Sequence, residues 1–186
     1  MTSQNSWEEK TVKTEVVFTG KMIDLAIEHV TLPNGKPATR EVVRHPGAVA
    51  VLAVHDGKML VVEQYRKALG RTQVEIPAGK LEPGEEPIRA ARRELEEETG
   101  YRCKSLVPVH SFYTAPGFSD EIIHLYWAED LQKGEANPDE DEFLTVSAIT
   151  PAEAEMLIRD SRISDAKTLL AYYIWRQYIK TGVMGL

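Results

Sequence analysis

The sequence is poor in the features that mark several large classes of protein. Cysteine occurs once, at Cys103, which excludes a disulfide framework and a cysteine-based zinc site. The longest apolar run, residues 47–54, is too short to cross a bilayer. The first ten residues are polar and contain no apolar region of a signal peptide. These absences favour a cytoplasmic protein that has no membrane partner.

Positive charge is also scarce. The chain carries 22 Lys and Arg against 29 Asp and Glu, which gives a net charge of −7. This balance argues against a general nucleic-acid-binding surface. It also means that an anionic substrate needs metal ions or local arginines to approach. The length of 186 residues is enough for a single well-buried core.

The hydrophobic pattern predicts a mixture of strands and helices without a linker or repeat. Strands are predicted at residues 16–18, 22–32, 39–44, 48–54, 59–64, 74–76, 104–112, 122–128 and 143–149. A first helix is expected to start at Pro87 and to stop at Gly100, with Ile88, Ala91 and Leu95 as its core stripe. Two more helices close the chain, one after the capping box of Thr150 and Glu153, and one capped by Ser164.

The first helix is crowded with glutamates. Glu94 and Glu98 lie four residues apart, so they project from one face, with Glu97 beside them. Like charges at this spacing destabilise a helix by roughly 0.2–0.5 kcal/mol per pair. A divalent cation would reverse that cost, because hard cations such as Mg²⁺ favour a few carboxylates together with substrate phosphates.

A solvated helix held by ion pairs is the alternative interpretation. Two pairs of opposite charge are spaced by four residues: Arg92 with Glu96, and Arg93 with Glu97. This spacing does not provide Glu94 with a basic partner, because alanines lie one turn before it. From spacing alone, the metal site and the solvated acidic face stay equally open.

The wider pattern decides between them. Its fixed positions are Gly79, Glu85, Arg93, Glu94, Leu95, Glu97, Glu98 and Gly100. This arrangement resembles the Nudix box, and Tyr101 stands where an aliphatic residue is usual. The order of the flanking elements is most similar to the bacterial ADP-ribose pyrophosphatase branch. The resemblance implies an α+β fold, an α/β/α sandwich with a mixed sheet between helices. It also implies an N-terminal antiparallel sheet in residues 1–45 that dimerises, before a Nudix hydrolase domain in residues 46–186.

The resemblance also implies the reaction and the metal site. Such enzymes use Mg²⁺, or Mn²⁺ in its place, and the expected reaction here is hydrolysis of ADP-ribose to AMP and ribose 5-phosphate. The implied metal ligands are Glu94, Glu98 and the backbone carbonyl of Ala78. Glu97 is implied as a further ligand or a neighbouring carboxylate. Arg93 is expected to orient these carboxylates through Glu85 or Glu97.

A second acidic group lies at residues 139–142. Read by itself, such a run is typical of a solvated loop. The resemblance instead implies that this loop delivers the catalytic base and another metal ligand. Glu142 then corresponds to the ligand and Glu140 to the base, although the two roles could be exchanged.

Substrate contacts are implied outside the box. Pro116 follows Tyr101 by 15 residues, a spacing similar to the proline mark of ADP-ribose hydrolases. Arg66 resembles the arginine that bridges the diphosphate, and Glu121 the residue that contacts the terminal ribose or positions water. Across a homodimer interface, Phe18 is the candidate that stacks on adenine, with core packing equally open for it. Arg40 or Arg44 would lie near that base.

Two alternative functions remain at this point. One is a pyrophosphatase for another nucleoside diphosphate sugar, such as GDP-mannose, which would share every residue of the box. The other is a non-catalytic ADP-ribose sensor that kept the fold. Such modules commonly lose the carboxylates of the box, whereas this sequence keeps Glu94, Glu97 and Glu98. Catalysis is therefore favoured.

Overall fold

The computed structural model describes residues 7–134, 136 and 143–183. Within these residues the strands are β1 (Lys10–Thr19), β2 (Asp24–Thr31), β3 (Pro37–Arg44), β4 (Ala48–His55), β5 (Lys58–Arg66), β6 (Arg71–Glu75), β7 (Ala78–Lys80), β8 (Tyr101–Tyr113), β9 (Ile122–Lys133) and β10 (Leu144–Ile149). The helices are α1 (Pro87–Thr99), α2 (Pro151–Arg159) and α3 (Ala166–Thr181). No helix in this described part is long and apolar enough to cross a membrane.

The chain divides into two compact units. The first consists of Met1–Gly47 together with Tyr113–Ile122, and the second of Ala48–Phe112 together with Ile123–Leu186. In the first unit, β1, β2 and β3 form an antiparallel sheet in that order. All ten residues of β1 are exposed, and the buried apolar residues of this sheet are Ala26 and Val30.

The second unit is built on a mixed sheet. Its main path runs β10–β5–β4–β9–β8, while β6 pairs with β5 and β7 pairs with β4. Strand β4 is parallel to β9 and antiparallel to β5 and β7. The short turn between β4 and β5 has positive φ at both Asp56 and Gly57, at 50° and 71°. This is the conformation of the tight hairpin turns that match the twist of the flanking strands.

Strand β4 is buried on both faces, as its continuous apolar run predicts. Ala50 and Leu52 belong to a core that includes Tyr172 and Trp175 of α3. The alternate residues, such as Val51, belong to a second core that includes Leu95 of α1. Because neighbouring residues of a strand point to opposite faces, one strand joins both helical layers. The predicted mixed sheet between helices, with an additional N-terminal antiparallel sheet, is confirmed.

The helix ends follow local chemistry. Helix α1 begins at Pro87 and ends at Gly100, whose φ of 72° suits glycine. The capping box of Thr150 and Glu153 starts α2 as predicted. The predicted cap of the last helix is wrong: the side chain of Asp165, not Ser164, accepts the hydrogen bond from the Thr168 amide.

The predicted core stripe of α1 is wrong at one position. Ile88 is exposed, whereas Ala91 and Leu95 are fully buried. Ala90 takes the buried place in the first turn. The buried face of α1 also includes Glu94 and Glu98, so this face is partly charged. A pattern of apolar residues alone could not locate it.

Candidate active site

The centre of the candidate site is the close approach of α1 to β7. The side chains of Glu94 and Glu98 are on the buried face of α1, and the two residues are 8% and 1% exposed. The amide of Ala78 donates a hydrogen bond of 3.0 Å to Oε2 of Glu98. A Cβ atom on Gly79 would lie 2.0 Å from the carboxyl carbon of Glu94. Gly79 is therefore the residue that lets this carboxylate lie against the backbone of β7.

Arg93 connects the carboxylates around this point. Its Nε and Nη2 atoms donate to both oxygens of Glu85, at 3.1 and 3.0 Å. Its Nη1 atom donates to Glu94 at 2.7 Å and to Glu97 at 3.0 Å. The hydrogen bonds to Glu85 are the main reason why the pKa of Arg93 is raised. In return, they lower the pKa of Glu85. One arginine thus fixes three carboxylates of the box.

Of the two ion pairs expected on α1, Arg93 with Glu97 is confirmed and Arg92 with Glu96 is wrong. Arg92 does not pair with Glu96, since its Nη1 atom donates to the carbonyl of Cys103 at 2.5 Å. Glu96 pairs with Arg102 beyond the helix end, at 2.5 Å. Glu94 has alanines one turn before it, as the spacing predicts, and pairs instead with the adjacent Arg93 at 2.7 Å.

The arrangement fits a hard divalent cation in its donor chemistry. Glu94, Glu98 and the Ala78 carbonyl would supply oxygen atoms, which such cations prefer. Within the described residues, no group of three or more His, Cys, Asp and Glu side chains is close enough to hold a metal ion. The predicted base and ligand, Glu140 and Glu142, lie outside the described residues. The described part therefore contains the helical side of the predicted site.

A second buried charge cluster lies in the same unit. Glu75, the last residue of β6, is 2% exposed and accepts hydrogen bonds from Arg66 of β5 at 2.8 and 2.6 Å. Lys167 of α3 donates to the same carboxylate at 2.5 Å. Burial alone would raise the pKa of Glu75, but the hydrogen bond from Arg66 and the attraction of Lys167 outweigh it and lower the pKa to about 2.

Sequence reasoning identified Arg66 but missed Glu75 and Lys167. The available signal was a glutamate between Val74 and Ile76, directly before the turn that leads into β7. A charged residue within a buried apolar strand needs a partner. The hydrogen bond to Glu75 is the main reason why the pKa of Arg66 is raised, and the negative charge of Glu98 adds to the effect.

The predicted substrate residues of the first unit form two groups. Arg44 donates to Asp120 at 3.0 Å and to Glu28 at 2.5 Å, and its hydrogen bond to Asp120 is the main reason why the pKa of Arg44 is raised. Thr114 donates a hydrogen bond to the neighbouring Glu121. Arg44 is thus bonded to Asp120, the residue directly before Glu121 in sequence. Pro116 lies shortly before Asp120 in the same loop. This loop is bonded to β3, because the Val43 amide donates a hydrogen bond to the Phe118 carbonyl.

Phe18 and Arg40 lie elsewhere in that unit. Arg40 forms a two-pronged pair with Glu9, at 2.8 and 2.5 Å. Phe18 is 55% exposed, and its ring lies over Gly20, where a Cβ atom would come within 2.7 Å of the ring. The ring is thus supported from one side and open to solvent on the other.

Comparison with known proteins identifies the family. The sequence matches the NUDIX domain over residues 43–172. This chain belongs to the Nudix family. It is 56% identical over 169 residues to an ADP-ribose pyrophosphatase of Bacillus subtilis (strain 168), covering 89% of this chain and 91% of that protein. It is 54% identical to a methanol dehydrogenase activator of Bacillus methanolicus, with the same coverage.

A solved structure supports the fold independently of sequence. A crystal structure of an ADP compounds hydrolase superposes with a TM-score of 0.83 at 21% identity. The match covers 97% of this chain and 98% of that one, so it includes the N-terminal sheet as well as the Nudix core. Nudix hydrolases generally use divalent metal ions, which agrees with the oxygen donors beside Gly79.

Proposed function

We propose that this Nudix hydrolase cleaves ADP-ribose to AMP and ribose 5-phosphate with Mg²⁺, for which Mn²⁺ can substitute. The observation that carries this proposal is the pair of buried carboxylates, Glu94 and Glu98, held beside Gly79 by Arg93 and by the Ala78 amide. The 56% identity to an ADP-ribose pyrophosphatase supports the choice of substrate.

The roles of the site residues follow from their chemistry. Glu94, Glu98 and the Ala78 carbonyl would hold the metal, and Arg93 keeps the carboxylates in place together with Glu85 and Glu97. When bound, the metal would neutralise the diphosphate and lower the pKa of a water molecule that attacks it. Glu140 as base and Glu142 as ligand remain part of the proposal, with their roles exchangeable.

The substrate contacts are proposed from side-chain chemistry. A guanidinium group suits phosphate oxygens, which assigns the diphosphate to Arg66. The ring of Phe18, supported by Gly20 and open on one face, suits stacking on adenine, with Arg40 or Arg44 near the base. Pro116 and Glu121 would border the terminal ribose.

The exposed strand β1 supports a homodimer. Val12, Val16 and Phe18 are 72%, 64% and 55% exposed, and β1 is an edge strand of its sheet. A long apolar edge strand is a template for pairing with another chain. A second copy that covers it would bring the Phe18 ring into a partner's site. We expect this cytoplasmic protein to sediment as a dimer. Sedimentation as a monomer at micromolar concentration, with full activity, would contradict this arrangement.

Product analysis tests the proposed reaction. The protein is incubated with ADP-ribose and Mg²⁺ in ¹⁸O-labelled water. The products are then separated, and their masses are measured by mass spectrometry. AMP and ribose 5-phosphate are expected, with the label in just one of them, because attack occurs at a single phosphorus. Formation of ADP and free ribose would overturn the pyrophosphatase assignment. A panel that includes GDP-mannose tests the alternative nucleoside diphosphate sugars.

A second candidate function is activation of an alcohol dehydrogenase. It is favoured by the 54% identity to a methanol dehydrogenase activator over 89% of this chain. The test adds the protein with Mg²⁺ to a purified bacillar methanol dehydrogenase and measures NADH formation. A rate increase that Glu98→Gln abolishes would join this function to the same site. An unchanged rate would remove it.

A further inference from the structure

The buried carboxylate of Glu75 lies between two parts of the second unit that are distant in sequence. It accepts from Arg66 of β5 on one side and from Lys167 at the start of α3 on the other. Glu75 also ends β6, three residues before Ala78. Glu75 therefore connects β5 and α3 close to the strand next to the candidate site.

Arg66 is held in a defined orientation by this contact. Its Nε and Nη2 atoms both donate to Glu75, so the planar fork of the guanidinium is fixed against the planar carboxylate. Its Nη1 atom has no hydrogen-bond acceptor within the described part of the chain, and the side chain is 41% exposed. The bonded edge therefore faces the interior, and the remaining donors are available to an anion.

Lys167 supports the carboxylate from behind. Its ammonium group donates to Glu75 at 2.5 Å and to Asp165 at 2.9 Å, and its side chain is 10% exposed. Asp165 in turn accepts from the amide of Thr168 and caps α3. The two acids and two bases balance in charge, so the network needs no further ion. The carboxylate of Glu75 is therefore bonded to side chains from both β5 and α3, which leaves it little freedom to rotate.

We propose that Glu75, supported by Lys167, is a positioning residue that fixes Arg66 for the diphosphate of the substrate. This inference rests on the proposed function, because it assigns the open donors of Arg66 to phosphate oxygens. Holding a guanidinium in place before substrate binds removes an ordering cost that a free arginine would incur. Replacing the carboxylate should therefore weaken both substrate binding and turnover.

A double-mutant cycle tests the proposal. Glu75→Gln, Arg66→Ala and the double variant are compared with the native chain in kcat and KM for ADP-ribose. Glu75→Gln should lower kcat/KM roughly tenfold or more, with KM raised at least as much as kcat is lowered. In the Arg66→Ala background the same change should cost less than about twofold. Independent, multiplicative losses would overturn the proposal.

Thr168→Val is the matched control for the attachment of α3. The hydroxyl of Thr168 accepts from the Ile76 amide at 3.0 Å, next to Glu75, but does not contact Arg66. This variant should lower the melting temperature and leave KM for ADP-ribose unchanged. An equal rise in KM would mean that helix attachment, not Arg66, carries the effect. If Glu75→Gln does not fold, Lys167→Met replaces it in the cycle, with a smaller loss that again depends on Arg66.

A binding measurement separates this inference from the proposed function. If the native chain does not hydrolyse ADP-ribose, the proposed function fails, and the cycle is measured by calorimetry with inorganic pyrophosphate. Weaker pyrophosphate binding in Glu75→Gln, absent in the Arg66→Ala background, would still support the positioning role. Equal pyrophosphate affinity in the native chain and Glu75→Gln would refute it.

Discussion

The two units of the chain differ in what they bury and what they expose. Among its described residues, the mixed-sheet unit buries the carboxylates of Glu75, Glu94 and Glu98. The three-stranded unit leaves apolar side chains such as Val12 and Val16 largely in solvent. Buried carboxylates need cationic groups near them, and exposed apolar strands need a covering surface. The difference motivates separate tests of the buried carboxylates and of the exposed strand β1.

Removing one buried charge should have the largest effect. Glu98→Gln keeps the shape of the side chain but deletes a negative charge from the candidate metal site. We expect kcat to fall about a hundredfold or more, which is about 2.7 kcal/mol of transition-state stabilisation. Steady-state assays in saturating Mg²⁺ measure this loss. Glu86→Gln is the matched control, because Glu86 is an exposed glutamate that precedes the same helix. Near-native kcat in Glu98→Gln would count against the metal-binding role.

The second buried carboxylate should be visible in acid stability. The folded-state pKa of Glu75, about 2, lies below its ordinary value of 4.5. A depressed pKa stabilises the fold above pH 4.5, and this contribution is lost as pH falls from 4.5 towards 2. It should amount to roughly 3 kcal/mol. Urea unfolding at a series of pH values should show a shallower acid dependence for Glu75→Gln than for the native chain.

Glu63→Gln is the comparison for that series. Glu63 also pairs with an arginine, Arg162 at 2.5 Å, but its side chain is 36% exposed. Exposed pairs contribute little, so its acid dependence should remain close to native. A Glu75→Gln profile parallel to the native one would show that Arg66 and Lys167 do not stabilise the charged carboxylate of Glu75.

A smaller effect is expected from crowding the candidate metal site. Gly79→Ala would place a methyl group 2.0 Å from the Glu94 carboxyl group, so α1 or the side chain must shift. We expect kcat to fall on the order of tenfold, or about 1.4 kcal/mol. Gly57→Ala provides the contrast, since its Cβ meets nothing within 4 Å but its φ is +71°. It should lose about 1 kcal/mol of stability and keep native kcat.

The least change in chain stability is expected from the exposed strand. Replacing both Val12 and Val16 with glutamate alters side chains that face solvent in the single chain, so each unit should keep its melting temperature within about 2 °C. Sedimentation velocity should nevertheless show the dimer replaced by monomer. Tyr173→Glu, an exposed aromatic on α3, should leave the mass unchanged. A native-like dimer in the doubly substituted chain would assign the interface elsewhere.

The parts of this molecule that were predictable depend on local spacing. The association of Gly79 with Glu94 and Glu98 was predictable, because one loop and one helix contain all three residues. The ends of that helix were predictable from Pro87 and Gly100. Glu75 was missed because its partners, Arg66 and Lys167, are 9 and 92 residues away. The exposure of Ile88 was missed because the helix buries two glutamates in place of an apolar stripe. The cap of the last helix was predicted one residue too early, at Ser164, because serine and aspartate can both accept the amide hydrogen bond.

The parallel pairing of β4 with β9 affects the order in which the protein can assemble. The strands β5 and β7 follow β4 closely in sequence, so they are synthesised soon after it. Strand β9 is synthesised much later, because Ala48 pairs with Ile123. A nascent chain that has emerged only through α1 already contains the Nudix box. The edge of β4 that pairs with β9 in the complete fold still lacks its partner strand at that stage. Such exposed strand edges favour aggregation during slow, long-range folding. We therefore expect the mixed sheet to be completed only after β9 has been synthesised.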